Sequence, residues 1–341
     1  MNVENPSELI PYLLSRRVIE AGDVPRITPL AGGVSNRTVL VEPSERPPFV
    51  LKQALKKLRV AADWFSSPGR IHREAEGMRF LRHLAPAGTI TEFHFEDFSE
   101  HILAMSMVPR PHRTWKELLL SEPPVPRHFE QFAAILARIH VCSYGDQGLA
   151  QIFDDRTGFE SLRLEPYYHY SAARVPVAKP FLENLIAETL GQRLALVHGD
   201  YGPKNILVHE GRFVLVDHEV IHFGDPAFDL GFSLTHLLAK AMHLEQFRTG
   251  LLESADLYIR RYLGHIRGTG FDKDFEARAC RHTAACLLSR VDGRSPFEYL
   301  SDVERDVQRS AALRLMANIP ANLSDLIFRF EEVVACPGLS N

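Results

Sequence analysis

The chain is poor in the features that mark several large classes of protein. It has four cysteines in 341 residues. Cys142, Cys280, Cys286 and Cys336 show no CxxC spacing, so a disulfide scaffold is not indicated and reduced, mostly buried thiols of a cytoplasmic protein are expected. There is no basic excess: 39 Lys and Arg stand against 43 Asp and Glu. That balance excludes a broad surface for nucleic acid or anionic membrane, while leaving a small cationic substrate open. No apolar run is long and clean enough to span a bilayer. The most apolar stretch, Ala227 to Met242, carries Asp229, Thr235, His236 and Lys240 and predicts a buried helix. The start, Met1-Asn2-Val3-Glu4-Asn5, lacks the basic region and apolar run of a signal peptide. Internal repeats and low-complexity segments are absent too. The remainder is ordinary globular composition, with length for two core-bearing domains or one two-lobed unit.

The first third reads as strands with one helix. Thr38–Val41 and Phe49–Lys52 are short β-prone runs separated by the Pro-rich turn at residues 43–48. Ile71, Ala75, Met78 and Leu81 then recur at helical spacing. His101–Met107 predicts a further strand. Five prolines between Pro109 and Pro126 mark a change to helices, beginning with the stripe Phe129, Phe132, Leu136 and Ile139. A strand-rich island, Leu194–Val220, interrupts them, with a hairpin turning at His209-Glu210-Gly211-Arg212. After it, Asp225-Pro226 suits a helix start, Asp as cap and Pro at the first position. The expected architecture is α+β and bilobal: a small antiparallel-sheet lobe over residues 1–107 and a larger, mainly helical lobe over residues 108–341.

The strongest chemical signal is Val197-His198-Gly199-Asp200-Tyr201-Gly202-Pro203-Lys204-Asn205, followed by Asp217-His218-Glu219. Phosphoryl transfer needs a group that orients the attacking hydroxyl, oxygen ligands for magnesium, and a cation on the nucleotide phosphates. Asp200 lies five residues before Asn205, and Asp217 follows a hairpin that folds back beside that loop. Three oxygen-bearing side chains can therefore converge. Upstream, Gly32 and Gly33 open a loop, Gly-Gly-Val-Ser35-Asn36, whose backbone amides can approach phosphate without Cβ obstruction. Alternation in Phe49-Val50-Leu51-Lys52 predicts a half-buried Lys52 in need of a partner. Glu74 interrupts the apolar helical stripe, where a carboxylate is costly unless paired. Glu76 is the second candidate, pointing off that stripe.

These motifs resemble the aminoglycoside phosphotransferase and choline kinase superfamily, which has a protein-kinase-like fold. The resemblance spans about residues 25 to 305. It implies ATP and Mg2+ as cofactors, with Asp200 as catalytic base or hydroxyl-orienting residue. Asn205 and Asp217 become metal ligands, joined by Glu219 through the D-x-E pattern. It implies that Lys52, held by Glu74, grips the α/β-phosphates, and that the backbone of the hinge, Met105-Ser106-Met107, contacts adenine. His198 would brace the catalytic loop, and Asp229 would accept from that loop's backbone amides. Leu51-Lys52-Gln53-Ala54-Leu55 with Arg59, Val60 and Trp64 is similar to 5-methylthioribose kinases, although the nucleotide loop and Pro203-Lys204 depart from them.

The expected partner is a small molecule bearing a hydroxyl: a sugar, amino alcohol, nucleoside-like metabolite or antibiotic. Arg163, Tyr167, Tyr168, His169, His222 and Arg290 are candidates to face it. No acidic cluster in the helical lobe calls for a polycationic aminoglycoside. A metallohydrolase using His198, Asp200, Asp217, His218 and His222 would leave Lys52, Glu74 and the Gly-Gly loop without a role. A nucleotide-binding pseudokinase fits poorly with the full set Lys52, Asp200, Asn205 and Asp217. A protein kinase fits poorly with the short run from Asp217 to the helix at Pro226.

Overall fold

The computed structural model describes residues 1–30, 33–60, 63–271 and 274–335. Five strands, β1 (Arg26–Pro29), β2 (Asn36–Glu42), β3 (Phe49–Ala54), β4 (Phe93–Asp97) and β5 (Ile102–Ser106), form an antiparallel sheet in the order β1-β2-β3-β5-β4. Two helices cover its two faces. Helix α1 (Pro6–Ser15) packs Leu9 and Leu13 against Val39, Val41, Leu51 and Ile102. Helix α2 (Arg70–Leu84) packs Ile71, Ala75 and Met78 against Ala54, Leu103 and Met105. Strand alternation thus sends Leu51 towards α1 and Lys52 towards α2.

The first third therefore contains two helices, not one. Helix α1 starts at a capped proline: the Asn5 side chain accepts from Ser7 N, and Pro6 occupies the first turn.

The helical portion begins with α3 (Trp115–Ser121) and α4 (Pro126–Ser143). Phe129, Phe132, Leu136 and Ile139 of α4 are all essentially inaccessible to solvent. Each such side chain contributes about 1.5–3 kcal/mol by leaving water. The Ala227–His243 helix is buried from Ala227 to Met242, as its apolar character predicted. It crosses the Phe275–Asp292 helix backbone to backbone at Gly231, where a Cβ would stand 2.8 Å from Ala279 O. Asp225 accepts from Ala227 N at 3.1 Å and pairs with Arg278 at 2.9 Å; the helix starts at Ala227, one residue later than the sequence suggests, with Pro226 in the cap position. Among the described residues, no helix is long and apolar enough to cross a membrane. Cys280 and Cys286 are buried free thiols and Cys142 an exposed one; Cys336 lies outside the described residues.

Candidate active site

Lys52 sits opposite Thr38 and Leu103 in the sheet, on the α2 face. Glu74, only 1% exposed, meets it there. The Lys52 ammonium donates to both Glu74 oxygens, at 2.7 and 2.9 Å, and to Asp217 Oδ1 at 2.7 Å. Burial pulls the Lys52 pKa down, but Asp217 and Glu74 outweigh it and hold the ammonium charged. Burial raises the Glu74 carboxyl above its usual range, a push that Lys52 only partly offsets. Asp217 is held low: burial opposes its ionisation, while Lys52 and Lys204 favour it more strongly. Glu76 pairs instead with Arg73, at 2.8 Å.

The loop after the Ala195–Val197 strand is fixed by its backbone. Asp229 accepts from His198 N at 2.7 Å and from Gly199 N at 2.8 Å, and His140 Nε2 lies 3.2 Å from the same carboxylate. Gly199 adopts φ +75°, and a Cβ there would meet Val220 Cγ2 at 2.9 Å. The His198 ring braces both ends of the site: Asp200 N donates to its Nδ1 at 3.2 Å, and its Nε2 lies 3.1 Å from His218 Nδ1.

Asp200 is 2% exposed and surrounded by donors. Arg163 stands 2.8 Å from Oδ1; Lys204, at 2.9 Å, and Asn205 Nδ2, at 2.7 Å, reach Oδ2. Burial pushes the Asp200 carboxyl up, but Arg163 and Lys204 outweigh it and bring the pKa below the usual value. Asp200 is thus an ionised, oriented acceptor near neutral pH. Asn205 spends its amide nitrogen on Asp200 Oδ2 and Asp200 O. Val216 N donates to Asn205 O at 3.0 Å, which ties Asn205 to the segment carrying Asp217. Asp217 itself takes the left-handed conformation, φ +68°. With Lys52 on Asp217 Oδ1, Asp217 Oδ2 and Asn205 Oδ1 are the oxygens left to the site. This all-oxygen donor set suits a hard cation such as magnesium.

Other expected residues have different surroundings. Glu219 Oε2 accepts from Arg70 Nε and from Asn36 Nδ2, each at 3.0 Å. These contacts form a buried link between the sheet and the catalytic segment. Arg70 extends that link to the carbonyl oxygens of Ser35 and Leu55. Asn36 and Ser35, expected at the nucleotide, thus belong to the anchor of the loop, with Gly33 at its exposed tip; Gly32 lies outside the described residues. Met105 is buried between β5 and α2, its sulfur 3.7 Å from Thr91 Oγ1, and Met107 follows the end of β5.

Arg163 and Tyr167 lie on a π-helical segment, Glu160–His169. Arg163 reaches Asp200, and its guanidinium carbon lies 5.7 Å from the Tyr167 ring centre. Arg290 lies 4.7 Å from that ring on its own account. His222 stands apart from them: it stacks on Phe159 with ring centres 4.1 Å apart, and burial pushes its pKa down to about 4. It is a buried residue packed on Phe159. Sequence reasoning missed Arg70, His236 and Lys240. Arg70 starts the stripe that exposed Glu74, so a second buried charge on α2 was within reach of the same pattern.

A phosphotransferase enzyme family profile matches residues 26–268. Methylthioribose kinase of Yersinia pseudotuberculosis is 25% identical over 217 residues, covering 55% of this chain and 52% of that protein. The chain thus spans about half the length of the first curated relatives it matches. Among solved structures, an amicoumacin kinase in complex with AMP-PNP, Ca2+ and Ami superposes with a TM-score of 0.60 at 14% identity, covering 93% of this chain and 96% of that one. Choline kinase from Cryptosporidium parvum gives 0.55 at 11% identity, over 95% and 100% of the two chains. These two likenesses establish the protein-kinase-like bilobal fold. The family match covers most of the chain, including Lys52, Glu74, Asp200, Asn205 and Asp217, and on that ground the chain belongs to the phosphotransferase enzyme family.

Proposed function

We propose that this protein is a cytoplasmic, ATP- and magnesium-dependent kinase that phosphorylates a hydroxyl group of a small molecule. The observation that carries the reading is the junction of two distant segments at Lys52. One ammonium pairs with Glu74 of the sheet lobe and with Asp217, whose segment is tied to Asn205 and Asp200. In this reading Lys52 binds the nucleotide phosphates, with Glu74 limiting its freedom. Asn205 Oδ1 and Asp217 would hold magnesium, which neutralises phosphate charge when bound. Asp217 would do so through Oδ2, the oxygen that Lys52 leaves free. Asp200 accepts a hydrogen bond from the acceptor hydroxyl, orients it, and takes its proton as the new oxygen–phosphorus bond forms and the bond from the γ-phosphorus to the bridging oxygen breaks, releasing ADP. Lys204 adds positive charge beside Asp200, where the transferred group gathers negative charge. The likeness to methylthioribose kinase supports a sugar-like acceptor.

The experiment is a coupled ADP-release screen of hydroxylated metabolites and antibiotics with Mg-ATP, repeated with Asp200→Ala. The expected result is turnover that falls about 10²–10⁴-fold in the variant while nucleotide affinity is retained. Near-wild-type turnover by Asp200→Ala on the acceptor found would remove Asp200 from the mechanism.

A further inference from the structure

Beside Asp200 lies a buried group of basic side chains, two of them cations, with no carboxylate among them. Arg290 is 5% exposed, His236 6% and Lys240 fully buried. Arg290 donates to Ser295 O and Ser295 Oγ, and its Nη2 lies 3.2 Å from His236 Nε2. Its Nε is buried without a partner. Among the described residues, the Lys240 ammonium donates only to His236 O, at 3.2 Å, and it lies 5.4 Å from the Tyr299 ring centre. Among the described residues, neither Arg290 nor Lys240 forms an ion pair with an acid. Lys116 of α3, at the edge, is paired with the exposed Glu298.

The charged neighbours of this region are mostly cations. Burial drives His236 well below its usual pKa, and the neighbours that deepen the shift are Arg290, Lys240, Lys204 and Lys116. Burial with neighbouring Lys116 brings Lys240 down to about 7, against the opposing pull of Glu298. Buried cations lacking counter-charge are costly, and the aromatic rings around Arg290 repay only part of the cost. The group also adjoins the reaction centre. Arg163, which pairs with Asp200, and Arg290 share the rings of Tyr167 and Phe232. Gly202 of the catalytic loop packs on His236, where a Cβ would meet Nε2 at 3.3 Å.

We propose that the acceptor carries an oxyanion, a carboxylate or a phosphate, that docks against Arg290 and Lys240 while its hydroxyl lies at Asp200. This rests on the kinase reading of the Asp200 site and narrows its substrate class. A predominantly cationic environment favours anions and repels polyamines, so the cationic aminoglycosides and amino alcohols fall out of the acceptor class.

The test uses the full chain with saturating Mg-ADP. Calorimetry measures binding of D-gluconate against D-glucose and of D-ribose 5-phosphate against D-ribose, with kanamycin as the cationic probe. Phosphoryl transfer to the same compounds is followed with Mg-ATP. At least one anion is expected to bind about tenfold or more tightly than its neutral parent; the two arms separate carboxylate from phosphate. Arg290→Gln should weaken that anion about 10- to 100-fold and spare the neutral parent, with Arg290→Lys recovering part. A merely structural role would move both ligands together. Lys240→Met, which keeps the buried volume, repeats the test should Arg290→Gln fail to fold. Preference for a neutral parent or for kanamycin overturns the anion site and leaves the kinase reading standing. No binding of either anion overturns it too. Anion binding without transfer, and without Mg-ATP binding, upholds the anion site and removes the kinase reading.

Discussion

Replacing Lys52 by Met removes the one cation shared by two carboxylates. Glu74 is 1% exposed and accepts two of its hydrogen bonds; the Asp217 side chain is 24% exposed and accepts the third. Breaking a buried ion pair from one side costs about 3–5 kcal/mol when the stranded charge has no relief. Here relief exists. Burial already raises the Glu74 carboxyl, so it can take up a proton, and Asp217 is partly solvated. The expected loss for Lys52→Met is therefore nearer about 2–3 kcal/mol. Glu74→Gln should cost less, about 1–2 kcal/mol, because Lys52 keeps Asp217 at 2.7 Å. In the double variant neither member is stranded by the other, so its loss should fall short of the sum by about 1–3 kcal/mol. Urea unfolding of the four proteins at pH 7 measures this cycle. Parallel kinetics should show the Km for ATP raised more by Lys52→Met than by Glu74→Gln, again with less than additive losses. Additive effects in both measurements would refute the coupling, and a harmless Lys52→Met would undo the nucleotide assignment.

Asp229→Ala should leave the buried amides of His198 and Gly199 without acceptors, at about 1–3 kcal/mol each, and lower the melting temperature by several degrees; thermal unfolding checks it, and an unchanged midpoint would contradict the anchoring role. Lys240→Met tests the buried ammonium through pH. Its folded pKa, about 7, is below that of the unfolded chain, so the unfolded state holds more protons between about pH 7 and 10.5 and wild-type stability gains with rising pH across that window. The stabilisation by Lys240→Met should be largest at or below pH 7 and fade towards pH 10; a constant difference across pH would contradict the depressed pKa.

Local patterns carried the catalytic parts of this account. Glu74 stood out because a carboxylate in the stripe Ile71, Ala75, Met78, Leu81 needs a partner, and the structure supplies Lys52 on the facing strand. The Asp200–Asn205 spacing and the hairpin before Asp217 likewise placed three oxygen-bearing groups together. What escaped the sequence depends on pairing across distance or on unusual backbone. The Arg70–Glu219 pair joins residues 149 positions apart, and no periodicity connects them. Arg163 and Tyr167 were candidates, but the π-helical segment that carries them was not legible, because Pro166 within it lacks an amide and reads as a break in a helix. Helix α1 went unread: Asn5 as cap, Pro6 in the first turn and the Leu9–Leu13 spacing fit a helix, but Pro11 in its midst breaks the pattern. The burial of Lys240 followed from its apolar helix, but its place beside Arg290, on a helix far along the chain, had no local signal.

The most direct measurement of the central claim is calorimetric titration of ATP into the wild-type protein and into Asp217→Asn, each with and without Mg2+. Asp217 supplies the anionic oxygen beside Asn205, so magnesium should tighten ATP binding to the wild type by about tenfold or more, and Asp217→Asn should lose most of that gain. ATP binding that is indifferent both to magnesium and to the substitution, or absent altogether, would contradict the account.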